Sequence, residues 1–190
     1  NAIQTRQEET WRDSYALVPG INDLVLAAVA KALQDYPDLN AGYVDGAMHR
    51  YRAINLGVAI DTEAGLVVPV IKDADRLDLV QIARAVREFA VKARERKLMP
   101  DELVGATFSI SNLGGLGVDW FTPVLNPPQC AILGVGRVRR EPRCAGDAFV
   151  ARDVATLVLT FDHRLVDGAP CARFLGRLRE LIEAPGPLLP

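Results

Sequence analysis

Runs of apolar residues and amphipathic stripes divide this chain into blocks of predicted helices and strands. The nearly all-apolar segment 22–33 predicts a buried helix with Asn22 as its cap. A second helix is predicted over 78–98, because an aspartate and Gln81 have capping-box spacing and apolar residues recur on one face. A third is predicted over 170–181, opened by a proline in the first turn.

Shorter apolar runs between turn residues predict the strands. The strands predicted at 54–60 and 66–71 are expected to form a hairpin around a turn at 61–65. Pro69 in the second of these strands suggests an edge or a bulge. The order is mixed rather than a strict β-α-β alternation. It indicates the α+β class, a two-layer sandwich with helices on one face of a mixed β-sheet. The predicted strands cover residues 54–60, 66–71, 106–111, 130–138 and 154–161.

Composition and charge exclude several classes of protein. The 190 residues are 49% hydrophobic and carry a net charge of −2, which predicts one globular domain with no nucleic-acid partner. No apolar run approaches the ~18 residues of a membrane span, and the polar start lacks the apolar core of a signal peptide. Three cysteines without C-x-x-C spacing favour neither disulfides nor a zinc site, so no metal is expected. A reducing compartment is indicated, the cytoplasm or an organelle matrix, with the cytoplasm preferred.

The segment 162–168 (DHRLVDG) is the strongest candidate for chemistry. It follows the apolar run 154–161, so the predicted strand delivers His163 and then Asp167 to its end. Histidine is the side chain that titrates nearest neutrality and can take and return a proton. The only other histidine, His49, stands in a loop-like context. From the residues alone, His163 is either a catalyst or a hydrogen-bonded structural residue.

Two further patterns invite a phosphate-binding interpretation. The cluster 114–117 (GGLG) is followed neither by Gly-Lys-Ser/Thr nor by a helix start, so tight turns and close backbone approach are favoured. Arg137, Arg139, Arg140 and Arg143 form a basic patch. The patch is either a solvated strand end and loop or a contact to a phosphate-bearing cofactor, and the sequence leaves both open.

Four separated segments together resemble the catalytic domain of the acyltransferase (E2) component of 2-oxo acid dehydrogenase complexes. The resemblance runs from about Asn22 to the C-terminus, in the order and spacing of that family. It is carried by 55–60 (NLGVAI) with 65–71 (GLVVPVI), 108–114 (FSISNLG), 126–136 (NPPQCAILGVG) and 162–168 (DHRLVDG).

The resemblance implies a fold like that of chloramphenicol acetyltransferase. It implies a homotrimer that assembles into a cube of 24 subunits or a dodecahedron of 60, with E1 and E3 components as partners. The implied reaction moves an acyl group between a dihydrolipoyl thiol and coenzyme A, at a site between subunits. One subunit supplies His163 as general base, and its neighbour supplies the Ser111 hydroxyl to the oxyanion.

Other residues of these motifs have alternative roles. The resemblance gives Asp167 the task of orienting the imidazole, whereas a turn residue that hydrogen-bonds backbone before the last helix is the alternative. Asn112 either shapes the substrate site or is structural. Arg164 is expected to be structural, and 125–128 is expected to pack between subunits.

The chain is expected to be the catalytic domain alone over 1–190, with residues 1–18 truncated or divergent and the lipoyl and subunit-binding domains absent. Two other functions stay open, a mainly structural core protein of such a complex and a free-standing O-acetyltransferase that uses acetyl-CoA. The acyl group cannot be read from these motifs.

Overall fold

The computed structural model describes residues 11–189. Within that range three long helices accompany a mixed five-stranded sheet and three hairpins, which confirms the α+β prediction. The helices are α1 (Ile21–Asp35), α2 (Leu79–Arg94) and α3 (Gly168–Glu183). The strands are β1 (Ala41–Val44), β2 (Ala47–Arg50), β3 (Leu56–Val58), β4 (Ile60–Thr62), β5 (Gly65–Val67), β6 (Val70–Ile71), β7 (Phe108–Asn112), β8 (Ala131–Val135), β9 (Arg139–Ala145), β10 (Ala148–Val154) and β11 (Leu157–Phe161).

The central sheet has the strand order β11-β8-β7-β3-β6. Its three inner strands, β8, β7 and β3, are parallel, and an antiparallel strand closes each edge. Pro69 lies directly before the edge strand β6, as expected of a residue that lacks a backbone donor.

The two faces of this sheet have different coverings. Phe108 and Ile110 of β7 are fully buried in one apolar core with the inner faces of the helices. The ring of Phe108 lies 5.9 Å from that of Phe174 in α3, which fixes the helices on this face. Side chains alternate along a strand, so Ser109 and Ser111 point to the other face. The segment 121–126 lies over that opposite face.

The helix termini show how local sequence sets their bounds. Asp78 and Gln81 form the predicted capping box of α2, with bonds of 2.7 and 2.9 Å. The predicted cap of α1 is wrong, because Gly20 is the cap and the Asp23 carboxylate accepts its N–H at 2.8 Å. Asn22 lies inside the first turn instead. The second helix ends at Arg94, four residues before the predicted end.

Three stretches differ from the predicted strands. The hairpin over 54–71 forms, but it breaks near Ala59 and Pro69, so β4 and β5 leave the sheet as a separate ribbon. The basic stretch after β8, for which a solvated strand end and loop was one of two alternatives, forms the long hairpin β9–β10. His49 lies in β2 of a third hairpin rather than in a loop. Each of the three hairpins has exposed residues on both of its faces. Their sequences therefore show no clear alternation of apolar and polar residues.

Candidate active site

Ser111 lies near the end of β7, on the face of the sheet away from the helices. It lines a cavity of about 410 Å³ together with Ser109 and mostly apolar side chains. Within the described residues the Ser111 hydroxyl has no hydrogen-bond partner, whereas Ser109 donates to Gln129 at 2.7 Å. Ser111 therefore keeps a free donor in an apolar cavity. The other lining residues include Ala59, Val68, Phe121, Pro123 and Ile132.

Gly134 of β8 is the cross-strand neighbour of Ser111. A Cβ at Gly134 would lie 3.1 Å from Pro123 and 3.2 Å from the ring of Phe121. The missing side chain lets these two residues close over the sheet directly beside Ser111. This close approach forms one wall of the cavity.

Asn112, the next residue, has its side chain committed to the fold. Its amide donates to the Asn22 side chain at 2.8 Å, and its carbonyl oxygen accepts the Gly114 N–H at 2.9 Å. These bonds tie the end of β7 to α1 and to the following turn. They favour the structural role of Asn112 over substrate binding.

His163 lies in the turn 162–165, called here the His163 turn, between β11 and α3. Its side chain is 71% exposed, and its ring centroid lies 5.5 Å from that of Phe161. The Nδ1 atom is 3.6 Å from a carboxylate oxygen of Asp167. Asp167 occupies the cap position of α3 without a side-chain capping bond, so its carboxylate faces the imidazole rather than the helix backbone.

Asp162 and Arg164 hold the turn on either side of His163. Both Asp162 carboxylate oxygens accept from Arg164, with contacts of 2.6 to 3.1 Å, and one also accepts the Arg164 backbone N–H at 3.0 Å. These bonds lower the pKa of Asp162 and raise that of Arg164. The guanidinium also lies 3.9 Å from the ring centroid of Tyr43 in β1. Nothing in the sequence indicates Tyr43, although the Asp-x-Arg spacing indicates the ion pair.

Ser111 and His163 are far apart within one chain. Ser111 pairs with Gly134, whereas Phe161 pairs with Ala131, three residues earlier in β8. At about 3.3 Å per residue along a strand and 4.8 Å between strands, roughly 14 Å separate Phe161 from Ser111. Since β11 is antiparallel to β8, the chain leaves Phe161 in the direction away from Ser111. The two predicted catalytic side chains do not meet in a single copy.

The glycine cluster and the arginine patch are explained by the fold. Gly114 approaches the backbone of Arg137, where a Cβ would lie 2.9 Å from its Cα, and Gly117 adopts a left-handed φ of 82°. These features match the prediction of tight turns and close approach. Arg137 and Arg139 are ion-paired with Asp119, and Arg139 and Arg143 with Glu141. These pairs favour a solvated hairpin over a phosphate site.

Two of the three cysteines are buried, and Cys144 is exposed. Burial raises the pKa of the Cys130 thiol to about 12 and that of Cys171 to about 11, which keeps both protonated. Among residues 11–189, no cluster of three or more histidine, cysteine or acidic side chains could hold a metal ion. No helix in the same range is long and apolar enough to cross a bilayer.

Comparison with known sequences gives a family match over almost the whole chain. The family described as 2-oxoacid dehydrogenases acyltransferase (catalytic domain) matches residues 3–189. The dihydrolipoyllysine-residue acetyltransferase component of the acetoin cleaving system of Bacillus subtilis (strain 168) is 41% identical over 187 residues. The corresponding component of the pyruvate dehydrogenase complex of Staphylococcus aureus (strain Mu50) is 44% identical over 168 residues. The matches cover 98% and 87% of this chain but only 47% and 39% of these relatives, so the chain spans half of their length or less.

Two solved structures are similar to the chain in both fold and sequence. Dihydrolipoamide acetyltransferase of Azotobacter vinelandii superimposes with a TM-score of 0.93 at 37% identity. That structure addresses the role of a serine, a histidine 52 positions later and an asparagine four positions further in the catalytic mechanism. The cubic core of a pyruvate dehydrogenase multienzyme complex gives a TM-score of 0.93 at 38% identity. Each match covers 98% of this chain and 77% of the other.

A third solved structure is similar in fold alone. Chloramphenicol acetyltransferase gives a TM-score of 0.53 at 16% identity, over 84% of this chain and 76% of that one. The prediction of a fold like that of chloramphenicol acetyltransferase is confirmed.

Proposed function

The chain belongs to the family of 2-oxoacid dehydrogenase acyltransferase catalytic domains, and from that premise we propose that it transfers an acetyl group between a dihydrolipoyl thiol and coenzyme A. The acetyl group is proposed because both curated relatives described above are acetyltransferase components. Coenzyme A and the dihydrolipoyl group are substrates here, the latter presented on a lipoyl-bearing domain.

One observation supports this proposal above the others. Ser111, His163 and Asp167 are separated by 52 and then four positions, the spacing of the three residues studied in the Azotobacter vinelandii enzyme. The last of the three is an asparagine in that enzyme and an aspartate here. Both side chains offer an oxygen that can accept an N–H, so an aspartate can take the place of the asparagine beside the histidine.

His163 acts as the general base. A free thiol has a pKa of about 8.5, so little thiolate exists at neutral pH, and a positioned base accelerates its attack roughly 10²–10⁴-fold. The Asp167 carboxylate lies 3.6 Å from Nδ1, which favours a proton on that nitrogen and leaves Nε2 to receive the thiol proton. His163 then returns the proton to the departing sulfur. Both thiols occupy one site, so the acyl group passes directly between them.

Ser111 stabilises the negative charge that develops on the carbonyl oxygen. Attack of a thiolate on a thioester produces a tetrahedral oxyanion, and a donor aimed at it lowers the barrier by about 3–4 kcal/mol. The Ser111 hydroxyl is free to donate within an apolar cavity, where such a bond is strongest. Because Ser111 and His163 are distant within one chain, the proposed site lies between neighbouring subunits of a homotrimer.

The proposed assembly is the core of a 2-oxo acid dehydrogenase complex with E1 and E3 components as partners. The cubic core among the similar structures supports a cube of 24 subunits rather than a dodecahedron of 60. The described relatives come from bacteria, which supports the cytoplasm as the location.

Acyl transfer from a panel of acyl-CoAs to free dihydrolipoamide tests the proposal. His163→Ala should lower kcat a hundredfold or more. His49→Ala is the matched control, since His49 is the other histidine and lies exposed in β2. An assembled wild-type chain that transfers no acyl group would leave a structural core role. Transfer to a hydroxyl acceptor instead would indicate a free-standing O-acetyltransferase.

A further inference from the structure

We propose that Asp162, Arg164 and Tyr43 form a clamp that positions the His163 imidazole for thiol deprotonation. The inference rests on the proposed function and adds three positioning residues to it. None of the three is proposed to touch substrate. They act through the backbone of the His163 turn.

The imidazole itself makes few contacts that could fix its direction. Its side chain is 71% exposed, and its described neighbours are the Phe161 ring at 5.5 Å and the Asp167 carboxylate at 3.6 Å. Asp167 is itself 84% exposed, so it is a weak anchor. Among the contacts within one chain, the direction of the imidazole therefore depends on the backbone on either side of it.

Asp162 fixes the first half of that backbone. Its N–H donates to the Cys130 carbonyl at 2.8 Å, and its own carbonyl accepts the Leu165 N–H at 3.0 Å. Its side chain is only 15% exposed and accepts the Arg164 backbone N–H at 3.0 Å. The Asp162 carboxylate therefore links the residue before His163 to the backbone N–H of the residue after it.

Arg164 fixes the second half and connects it to another element. Its Nε and Nη2 atoms donate to both carboxylate oxygens of Asp162, a geometry that a lysine ammonium cannot reproduce. Its guanidinium carbon Cζ lies 3.9 Å from the centroid of the Tyr43 ring, within the range of a cation–π contact.

Tyr43 is itself held by a backbone hydrogen bond to the segment 128–130. Its backbone N–H donates to the Pro128 carbonyl at 2.9 Å, and Cys130, two residues on, accepts the Asp162 N–H. The clamp therefore begins and ends on the segment 128–130, so the turn is held as a closed loop of contacts. Loss of the ring would leave the ion pair but free the turn to swing about Asp162.

The test compares kcat and KM for dihydrolipoamide and acetyl-CoA across matched variants. Tyr43→Phe keeps the ring and should stay within about twofold of wild type. Tyr43→Leu removes the ring and should lower kcat about fivefold with both KM values nearly unchanged. Tyr43→Met is the second variant, for use if the leucine form folds poorly. Arg164→Lys should lower kcat at least as much, because it loses both the bidentate pair and the stack.

A double-variant cycle separates a clamp from two independent defects. Tyr43→Leu combined with Arg164→Lys should be no worse than Arg164→Lys alone, because both act on one contact chain. Arg177→Lys, at a half-buried ion-paired arginine of α3, and Phe149→Leu, at an exposed aromatic residue of β10, are the controls and should change neither constant.

Each outcome bears on the proposal. A Tyr43→Leu enzyme with wild-type kcat, additive losses in the double variant, or an effect confined to KM would overturn the clamp while leaving the proposed function intact. Absence of acyl transfer in the wild-type enzyme would overturn both.

Discussion

At the level of single residues, the carboxylate of Asp162 is held by three N–H donors of Arg164 while the imidazole beside it stays exposed. The sequence motif indicates which histidine to examine, because His163 follows a strand and precedes a helix. It does not indicate Tyr43, which is 120 positions away and meets Arg164 only through the packing of β1 against the segment 128–130. Contacts made through tertiary packing leave no local pattern.

The ion pair of Asp162 gives a pH-dependent stability. Hydrogen bonds from Arg164 hold the pKa of Asp162 below its ordinary value of about 3.9. Its contribution is complete above that value and is lost as the pH falls through the folded-state pKa. Asp162→Asn should therefore lower Tm at pH 7, and the difference from wild type should shrink below about pH 4. Thermal unfolding across that range measures it.

An exposed carboxylate provides the comparison for that experiment. Asp61→Asn, in β4, should leave Tm almost unchanged at every pH. A gap between wild type and Asp162→Asn that stays constant from pH 7 to pH 3 would contradict the assignment of the effect to the carboxylate.

The three cysteines should differ sharply in reactivity. Cys130 and Cys171 are buried and burial raises their pKa values, whereas Cys144 is exposed in β9. The thiolate is the reactive form, so iodoacetamide at pH 8 should label the folded chain only at Cys144. Mass spectrometry should show all three labelled after denaturation and no fast label in Cys144→Ser. Rapid labelling of Cys130 or Cys171 in the folded chain would show that this part of the core opens.

At the level of elements, predictability follows the strength of the periodic pattern. The helices α1 and α2 were predictable because buried residues recur along them and Asp78 signals a cap. The hairpin β9–β10 was not, because most of its side chains are exposed on both faces. The bend that splits the 54–71 hairpin was indicated only on one side, because Pro69 suggested an edge or a bulge whereas apolar residues continue through the break near Ala59.

Two glycines should respond to alanine in opposite directions. A Cβ at Gly136, directly after β8, would lie 1.9 Å from the Asp119 carbonyl oxygen, which is backbone and cannot turn aside. Gly136→Ala should cost at least about 2 kcal/mol of unfolding free energy. Gly176 lies inside α3 with nothing within 4 Å of a built Cβ. Gly176→Ala should stabilise the chain by about 0.5–1 kcal/mol.

Urea denaturation of both variants beside wild type measures the two effects. The two variants are controls for each other, because the same glycine-to-alanine change is made in both. Stabilisation by Gly136→Ala would mean that the segment around Asp119 can move away from β8 at little cost.

At the level of the whole molecule, the sheet register bears on where the reaction can occur. The resemblance implied a site between subunits, and the separation of Ser111 from the His163 turn within one chain supports that proposal. Ser111 lies at one end of β7 in an apolar cavity, while the His163 turn leaves the opposite end of the sheet. Sequence patterns place each residue on its strand, but only strand order and register give the distance between them.

Complementation between two inactive variants tests this arrangement directly. Ser111→Ala and His163→Ala should each lose at least about 99% of activity when assembled alone. In the proposed cyclic trimer each site would take His163 from one subunit and Ser111 from the next. Random co-assembly of the two variants in equal amounts should therefore restore roughly a quarter of the sites, because each partner has an even chance of carrying the intact residue.

Mixing without subunit exchange should restore nothing, which separates assembly from a contaminating activity. If both residues acted within one chain, co-assembly would leave every site defective, and activity at the level of the separate variants would place the site inside the subunit.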